Sequence, residues 1–247
     1  MTSQSPERPA DKTAKPEIDE AELFRGDLTP LITTFALGAR TVARCVTRVR
    51  VEGDFEAIPR DGPVILASNH ISNADPVIIG AWLTKRLGRR IHWLGKKEMF
   101  EWPVVGWMAR NGGVVPVDRG AADVEAFRLA QRVLAAGHVL MVFPEGTRSP
   151  TGELQVPKDG LAMLALRTNA TIVPIGVSNS DHVWKKGSLL PRPGGHATMR
   201  IGEPFRLVDV LPPGTDRKSR KAAATNVIMR RIAALVDERH RGPYRDA

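Results

Sequence analysis

The stretch Pro63-Val64-Ile65-Leu66-Ala67-Ser68-Asn69-His70-Ile71-Ser72-Asn73-Ala74-Asp75-Pro76 runs from an apolar segment straight into a polar, irregular one. An unbroken apolar run of this length reads as a strand buried on both faces, as in parallel sheets covered by helices. Asn-His-x-Ser-Asn then reads as a turn, with Asp75 as cap and Pro76 as first residue of the next helix. His70 and Asp75 share that short turn and can meet. Such a pair can deprotonate a hydroxyl, the imidazole taking the proton while the carboxylate fixes its tautomer and steadies the imidazolium. The same two residues also fit a plainer role, a helix cap and a hydrogen-bonded turn histidine, and this stretch alone does not choose.

Outward from it, short apolar runs alternate with helical periodicity. Strands are expected at Val49–Glu52, Val64–Ser68, Ile91–Leu94, Val114–Val117, Val139–Phe143, Ile172–Val177 and Ala197–Ile201. Helices are expected at Pro76–Leu87, Pro103–Arg110, Ala121–Ala136, Gly160–Asn169 and Arg217–Arg239. This alternation predicts an α/β fold with a largely parallel central sheet flanked by helices. Ahead of it, Thr29 can cap a helix reaching Val49, with Pro30 at its first position. Its residues Leu28, Leu31, Ile32, Phe35, Ala39, Val42, Val46 and Val49 recur at helical spacing, with Arg40, Arg44 and Arg48 on another face. That pattern suits a surface helix packed on the core, or an interfacial helix with arginines near anionic headgroups. Glu17 to Arg25 reads as a short companion helix. The apolar, aromatic segment Met99–Met108 suits core packing or, with Trp102 and Trp107 beside Lys96, Lys97 and Arg110, a headgroup-level surface. The organisation expected is an acidic disordered tail over 1–22, an amphipathic helical segment over 23–48, and an α/β domain over 49–247.

The formal net charge is +9, yet residues 1–22 hold three cations against six anions, so the folded body is more basic still. A basic body implies a polyanionic partner: nucleic acid, an anionic membrane surface or phosphorylated ligands. Nucleic acid is disfavoured by one Tyr, seven Phe and no zinc-finger, RNP or helix-turn-helix signature. The single cysteine, Cys45, excludes an internal disulfide and suits a reducing compartment. The polar first residues do not read as a signal peptide, and no run is long enough to span a bilayer.

Further polar clusters stand at the ends of expected strands, where open α/β sheets place their ligands. Gly113-Val114-Val115-Pro116-Val117-Asp118-Arg119 is one, and Phe143-Pro144-Glu145-Gly146-Thr147-Arg148-Ser149 is another. Arg119 and Arg148 can grip a phosphate bidentately, and Lys97 can add a point charge. Gly146 permits close backbone approach, and the Thr147 hydroxyl can donate.

Asn69-His70-x-x-x-x-Asp75, Gly113-x-x-x-x-Asp118-Arg119, the Phe143–Ser149 block and Val173-Pro174-Ile175 resemble the four ordered blocks of the glycerolipid acyltransferases. The resemblance is nearest to the 1-acylglycerol-3-phosphate (lysophosphatidate) acyltransferases and covers roughly residues 45–205. Val115-Pro116 departs from the family, which usually has an aromatic and an aliphatic residue there. The resemblance implies a glycerolphosphate-acyltransferase-like fold and transfer of a fatty acyl group from acyl-CoA, or acyl carrier protein, to the free hydroxyl of lysophosphatidate. It implies His70 as general base and Asp75 as its orienting carboxylate. Arg119, Glu145, Gly146, Thr147 and Arg148 match the acceptor's phosphate and glycerol site, and Lys97 and Lys158–Gly160 take supporting electrostatic roles. No metal and no bound cofactor are expected, the acyl thioester being a co-substrate. The partners expected are a lysophospholipid, the acyl thioester and an anionic membrane surface, with no nucleic acid. The protein would sit peripherally, as a monotopic protein, on the cytoplasmic face of the membrane. Glycerol 3-phosphate, another lysophospholipid or a glycolipid as acceptor, or non-catalytic binding of anionic lipid, are the competing expectations.

Overall fold

A computed structural model describes residues 19–118, 123–185, 187–213 and 216–246, with Arg217 described in its backbone alone. The chain opens with α1 (Glu20–Leu23), α2 (Pro30–Val46) and β1 (Thr47–Glu52). The body continues through β2 (Val64–Ser68), α3 (Asp75–Leu87), β3 (Ile91–Lys96), a 3-10 segment over Lys97–Glu101 and α4 (Pro103–Asn111). Then follow β4 (Val114–Val117), α5 (Val124–Ala135), β5 (Val139–Val142), α6 (Gly160–Thr168) and β6 (Thr171–Ser178). The chain closes with α7 (Ser180–Val183), β7 (Gly195–Ile201), α8 (Leu207–Val210), α9 (Arg217–Ala233) and two 3-10 turns.

The described strands form one seven-stranded sheet in the order β1-β7-β6-β2-β5-β3-β4. Every neighbouring pair is parallel except β6 with β7, which is antiparallel. β2 lies between β5 and β6, which is why all five of its residues are buried and its sequence shows no polar alternation. Two apolar layers cover the two faces. α5, α6 and α9 contribute Leu129, Val133, Leu161, Leu164, Ile228 and Met229 to one. α3 contributes Ile78, Ile79, Trp82 and Leu83 to the other. The exits of β2, β5 and β6 therefore emerge side by side from a rigid sheet.

Several expected boundaries move. α5 starts at Val124 because Asp123 caps it, its carboxylate accepting from the Ala126 N–H at 3.0 Å; Ala121 and Ala122 lie outside the described residues. α9 stops at Ala233, so the expected helical stretch to Arg239 becomes irregular chain and a 3-10 turn at Glu238–His240. α2 ends at Val46, which puts Arg48 in β1 rather than on the helix. Arg40 also leaves the outward basic face expected of it, its guanidinium lying 5.3 Å above the Trp82 ring of α3. The helix rests on the body through Ala39, Ala43 and Val46, while Leu31, Phe35, Leu37 and Val42 stay exposed. Of the acidic tail, residues 1–18 lie outside the described residues, and Glu20–Leu23 form the turn capped by Asp19.

Candidate active site

Where β2 ends, Asn69 anchors the turn to β6: its Nδ2 donates to the Val177 carbonyl at 2.8 Å and its Oδ1 accepts the Val177 N–H at 2.7 Å. This double contact mimics a ladder step and holds His70 at the lip of the sheet. The His70 Nδ1 lies 2.9 Å from Asp75 Oδ2. That oxygen also accepts the backbone N–H of Ile71 and of Ser72, each at 2.8 Å. The other carboxylate oxygen, Oδ1, accepts the Ser180 hydroxyl at 2.5 Å. Asp75 is fully buried, so an ionised carboxylate needs all four donors.

Asp75 is not the helix cap the sequence suggests. The N-cap is Ala74, without a side-chain cap bond, and Asp75 is the first helical residue. Its carboxylate turns back over the preceding loop because the Ile71 and Ser72 amides and the His70 ring lie there. With a carboxylate at Nδ1, that nitrogen carries the proton, and Nε2 is the basic atom offered to a substrate.

The imidazole stacks on Phe143, centroids 4.0 Å apart and planes 16° apart. The ring therefore has one face covered and swings little. Beneath the loop, Glu145 is 3% exposed and both its oxygens serve the backbone. Oε1 accepts the His70 N–H at 2.8 Å and Oε2 accepts the Gln155 N–H at 3.0 Å. Burial pushes its pKa up to about 7, against the lowering by those two amides, and the Asp75 charge pushes the same way.

His70 forms part of the wall of a cavity of about 570 Å³ that runs between α5 and α6. Leu94, Val117, Ala126, Phe127, Ala130 and Leu161 make it mainly apolar. Its wall also carries charged residues, Asp118, Asp123, Lys158 and Arg167, together with Gly146. Gly146 has φ +68°, and a Cβ there would sit 2.9 Å from Lys158 Cδ, so glycine lets the lysine stem lie across the turn.

The other expected site residues fall as follows. Lys97 Nζ is bonded at 2.7 Å to Oδ2 of Asp118, itself a residue of the cavity wall. Thr147 is exposed and Arg148 half-buried on the turn after Gly146. Arg119 lies outside the described residues. Glu145, expected against the acceptor, sits behind the loop with its oxygens on amides instead. Ser180 and Gln155 carry no sequence signal, and only proximity in the fold reveals them; Phe143 opens the Phe143–Ser149 block, but its stacking on His70 shows only in the structure. Among the described residues, no group of three His, Cys, Asp or Glu side chains is gathered to hold a metal ion. An imidazole tied to a buried carboxylate beside an apolar cavity can activate a hydroxyl against an acyl group lodged there.

A family model described as Acyltransferase matches residues 48–178, a little over half of the chain. A 1-acyl-sn-glycerol-3-phosphate acyltransferase of Bacillus subtilis (strain 168) is 29% identical over 185 residues, covering 73% of this chain and 84% of its own. A chloroplastic 1-acyl-sn-glycerol-3-phosphate acyltransferase of Arabidopsis thaliana is 31% identical over 57% of this chain, which spans 39% of that protein. A lyso-ornithine lipid O-acyltransferase of Pseudomonas aeruginosa is 32% identical over 62% of this chain and 56% of its own. Among solved structures, the 1-acyl-sn-glycerophosphate acyltransferase PlsC from Thermotoga maritima superposes with a TM-score of 0.66 at 28% identity. That match covers 83% of this chain and 78% of the other.

Proposed function

Because the chain belongs to the acyltransferase family, we propose that it acylates the free hydroxyl of 1-acyl-glycerol 3-phosphate from an acyl thioester, giving phosphatidate. The observation that carries this reading is the buried His70–Asp75 contact at 2.9 Å, with His70 in the wall of an apolar cavity. In the proposed step Nε2 of His70 takes the proton of the acceptor hydroxyl as its oxygen attacks the thioester carbonyl. Asp75 keeps the Nδ1 proton and steadies the imidazolium. The tetrahedral intermediate then collapses, breaking the C–S bond, and the departing thiolate takes the proton back from Nε2. Direct transfer is preferred to an acyl-enzyme because Ser68 and Ser72, the nearby hydroxyls, bond to the Asn69 and Trp184 carbonyls.

The apolar cavity would take the acyl chain, and Arg148, Thr147 and Lys158, with Arg119 by resemblance, would meet the acceptor's phosphate and glycerol. Lys97 would keep the supporting role the resemblance gives it, its ammonium held in place by Asp118. Glu145 is assigned a positioning role, holding the His70 backbone. The donor proposed is acyl-CoA, with acyl carrier protein as the alternative.

Peripheral association with the cytoplasmic face of a membrane is part of the proposal. No helix among the described residues is long and apolar enough to cross one. Phe35 of α2 meets Trp107 of α4 edge-on at 5.7 Å, and Leu31, Trp102, Val104 and Met108 extend an exposed apolar surface there. That surface supports the reading of residues 23–48 as a membrane-associating segment.

The similarity to a lyso-ornithine lipid acyltransferase keeps a second acceptor class in view. Purified protein, offered acyl-CoA and acyl carrier protein donors with lysophosphatidate, glycerol 3-phosphate and lyso-ornithine lipid, decides between them by mass spectrometry of the products. Phosphatidate and free thiol in equal amounts are expected. Lipid binding without turnover on any pair would overturn the enzymatic reading.

A further inference from the structure

The turn that delivers Ser180 to Asp75 is held from the far end of the chain. Asn179, in the left-handed region at φ 65°, donates its backbone N–H to His240 Nε2 at 3.1 Å. Its side-chain Nδ2 donates to Asp237 Oδ2 at 3.0 Å, and its Oδ1 accepts from Arg239 at 2.8 Å. One residue earlier, the Ser178 hydroxyl accepts the Asp237 N–H at 2.9 Å. The segment 237–239 and His240 thus grip the exit of β6 on both sides of its bend.

The same imidazole reaches a second loop. His240 Nδ1 meets the Gly152 carbonyl at 2.5 Å, and the His240 carbonyl accepts the Leu154 N–H at 2.8 Å. Leu154 precedes Gln155, whose N–H donates to Glu145, and Glu145 takes the His70 N–H. His240 is buried, 1% exposed, and burial together with the Arg239 charge lowers its pKa. Asp181, 4.0 Å from Nε2, and Asp237 oppose that lowering. A neutral ring donating at Nδ1 and accepting at Nε2 satisfies both loops at once. From His240, then, one line of contacts ends on Asp75 through Ser180 and another ends on the His70 backbone through Glu145.

We infer that Ser180 is a positioning residue for Asp75, and that His240 in the C-terminal segment holds the two loops that set the His70–Asp75 geometry. This rests on the reading of His70 as general base. Deleting the Ser180 hydroxyl leaves a buried carboxylate oxygen without its donor and frees the pair to rotate, which slows proton transfer without touching either substrate.

The test uses the full chain with acyl-CoA and lysophosphatidate, assayed well below the lowest melting temperature in the set. Ser180→Ala should lower kcat about tenfold to hundredfold, with both KM values within about twofold of wild type. His240→Ala should lower kcat in the same way, and His240→Gln, which keeps an acceptor for the Asn179 amide, should lose less. The double variant Ser180→Ala/His240→Ala should lose less than the product of the single losses, because both act on one carboxylate. Unchanged kcat in Ser180→Ala overturns the inference. So does a lowered melting temperature with full kcat in His240→Ala, or in His240→Gln should the alanine variant not fold. His70→Ala serves as control: if it keeps full activity, the general-base reading has failed, not the positioning inference alone.

Discussion

His70 is constrained at its backbone as firmly as at its ring. Its N–H is tied to Glu145, its carbonyl accepts the Ser149 N–H at 2.8 Å, and its ring is held by Asp75 and Phe143. His70→Ala removes the proposed base and leaves these backbone bonds intact. Its kcat should fall about 100- to 10,000-fold while circular dichroism stays near wild type; melting should drop, because the buried Asp75 carboxylate loses one of its four donors. Glu145 makes a separate, thermodynamic prediction. Its folded pKa of about 7 lies above the ordinary 4.5, so the folded state holds the proton more tightly than the unfolded chain. That contribution to stability is complete below pH 4.5 and is lost as pH rises through 7. Relative to Glu145→Gln, wild type should lose up to about 3 kcal/mol of unfolding free energy across that window. A difference that stays flat in denaturant titrations at several pH values would refute the assignment.

Secondary-structure elements here do two jobs with one periodicity. α5 buries Leu129, Val133 and Leu134 in the core and turns Ala126, Phe127 and Ala130 to the cavity. Ala130→Leu should narrow the cavity and shift the acyl preference toward shorter chains, read as kcat/KM across a donor series. Overpacking should cost about 1–3 kcal/mol of stability, small enough for the variant to fold. α2 divides its apolar residues instead, with Ala39, Ala43 and Val46 inward and Leu31, Phe35, Leu37 and Val42 outward. The sequence shows a continuous stripe, and it cannot show the division, because that depends on how far α3 covers the helix. Phe35→Asp should weaken vesicle binding in flotation assays and leave turnover of a short-chain, micelle-free substrate unchanged. Equal vesicle binding by both proteins would remove α2 from the lipid surface.

At the scale of the molecule, charge and apolar surface would make separable contributions to the proposed membrane association. With a net charge of +9, binding to vesicles of anionic phospholipid should fall as salt rises past the screening range. Binding to zwitterionic vesicles, driven by the exposed α2 and α4 side chains, should change little with salt. Salt-independent binding to both vesicle types would show that the basic body plays no part.

Local chemistry made much of this protein legible in one dimension. Apolar runs of strand length, helical spacing and turn residues are short-range signals, and each described strand overlaps an expected one, although β1 and β7 interleave polar residues and are not unbroken apolar runs. The His70–Asp75 pair belongs to the same class, since five residues of one turn cannot separate its members. What tertiary structure alone decided is what surrounds that pair. Glu145 is 75 residues from His70 and Ser180 is 105 from Asp75, and no periodicity links such positions. They meet because β2 lies between β5 and β6, so that the loops leaving three neighbouring strands open onto one edge. Sheet order, a global outcome of burying both faces, turned Glu145 from an expected substrate contact into a support for the His70 backbone. It also brought the C-terminal segment to the back of the site.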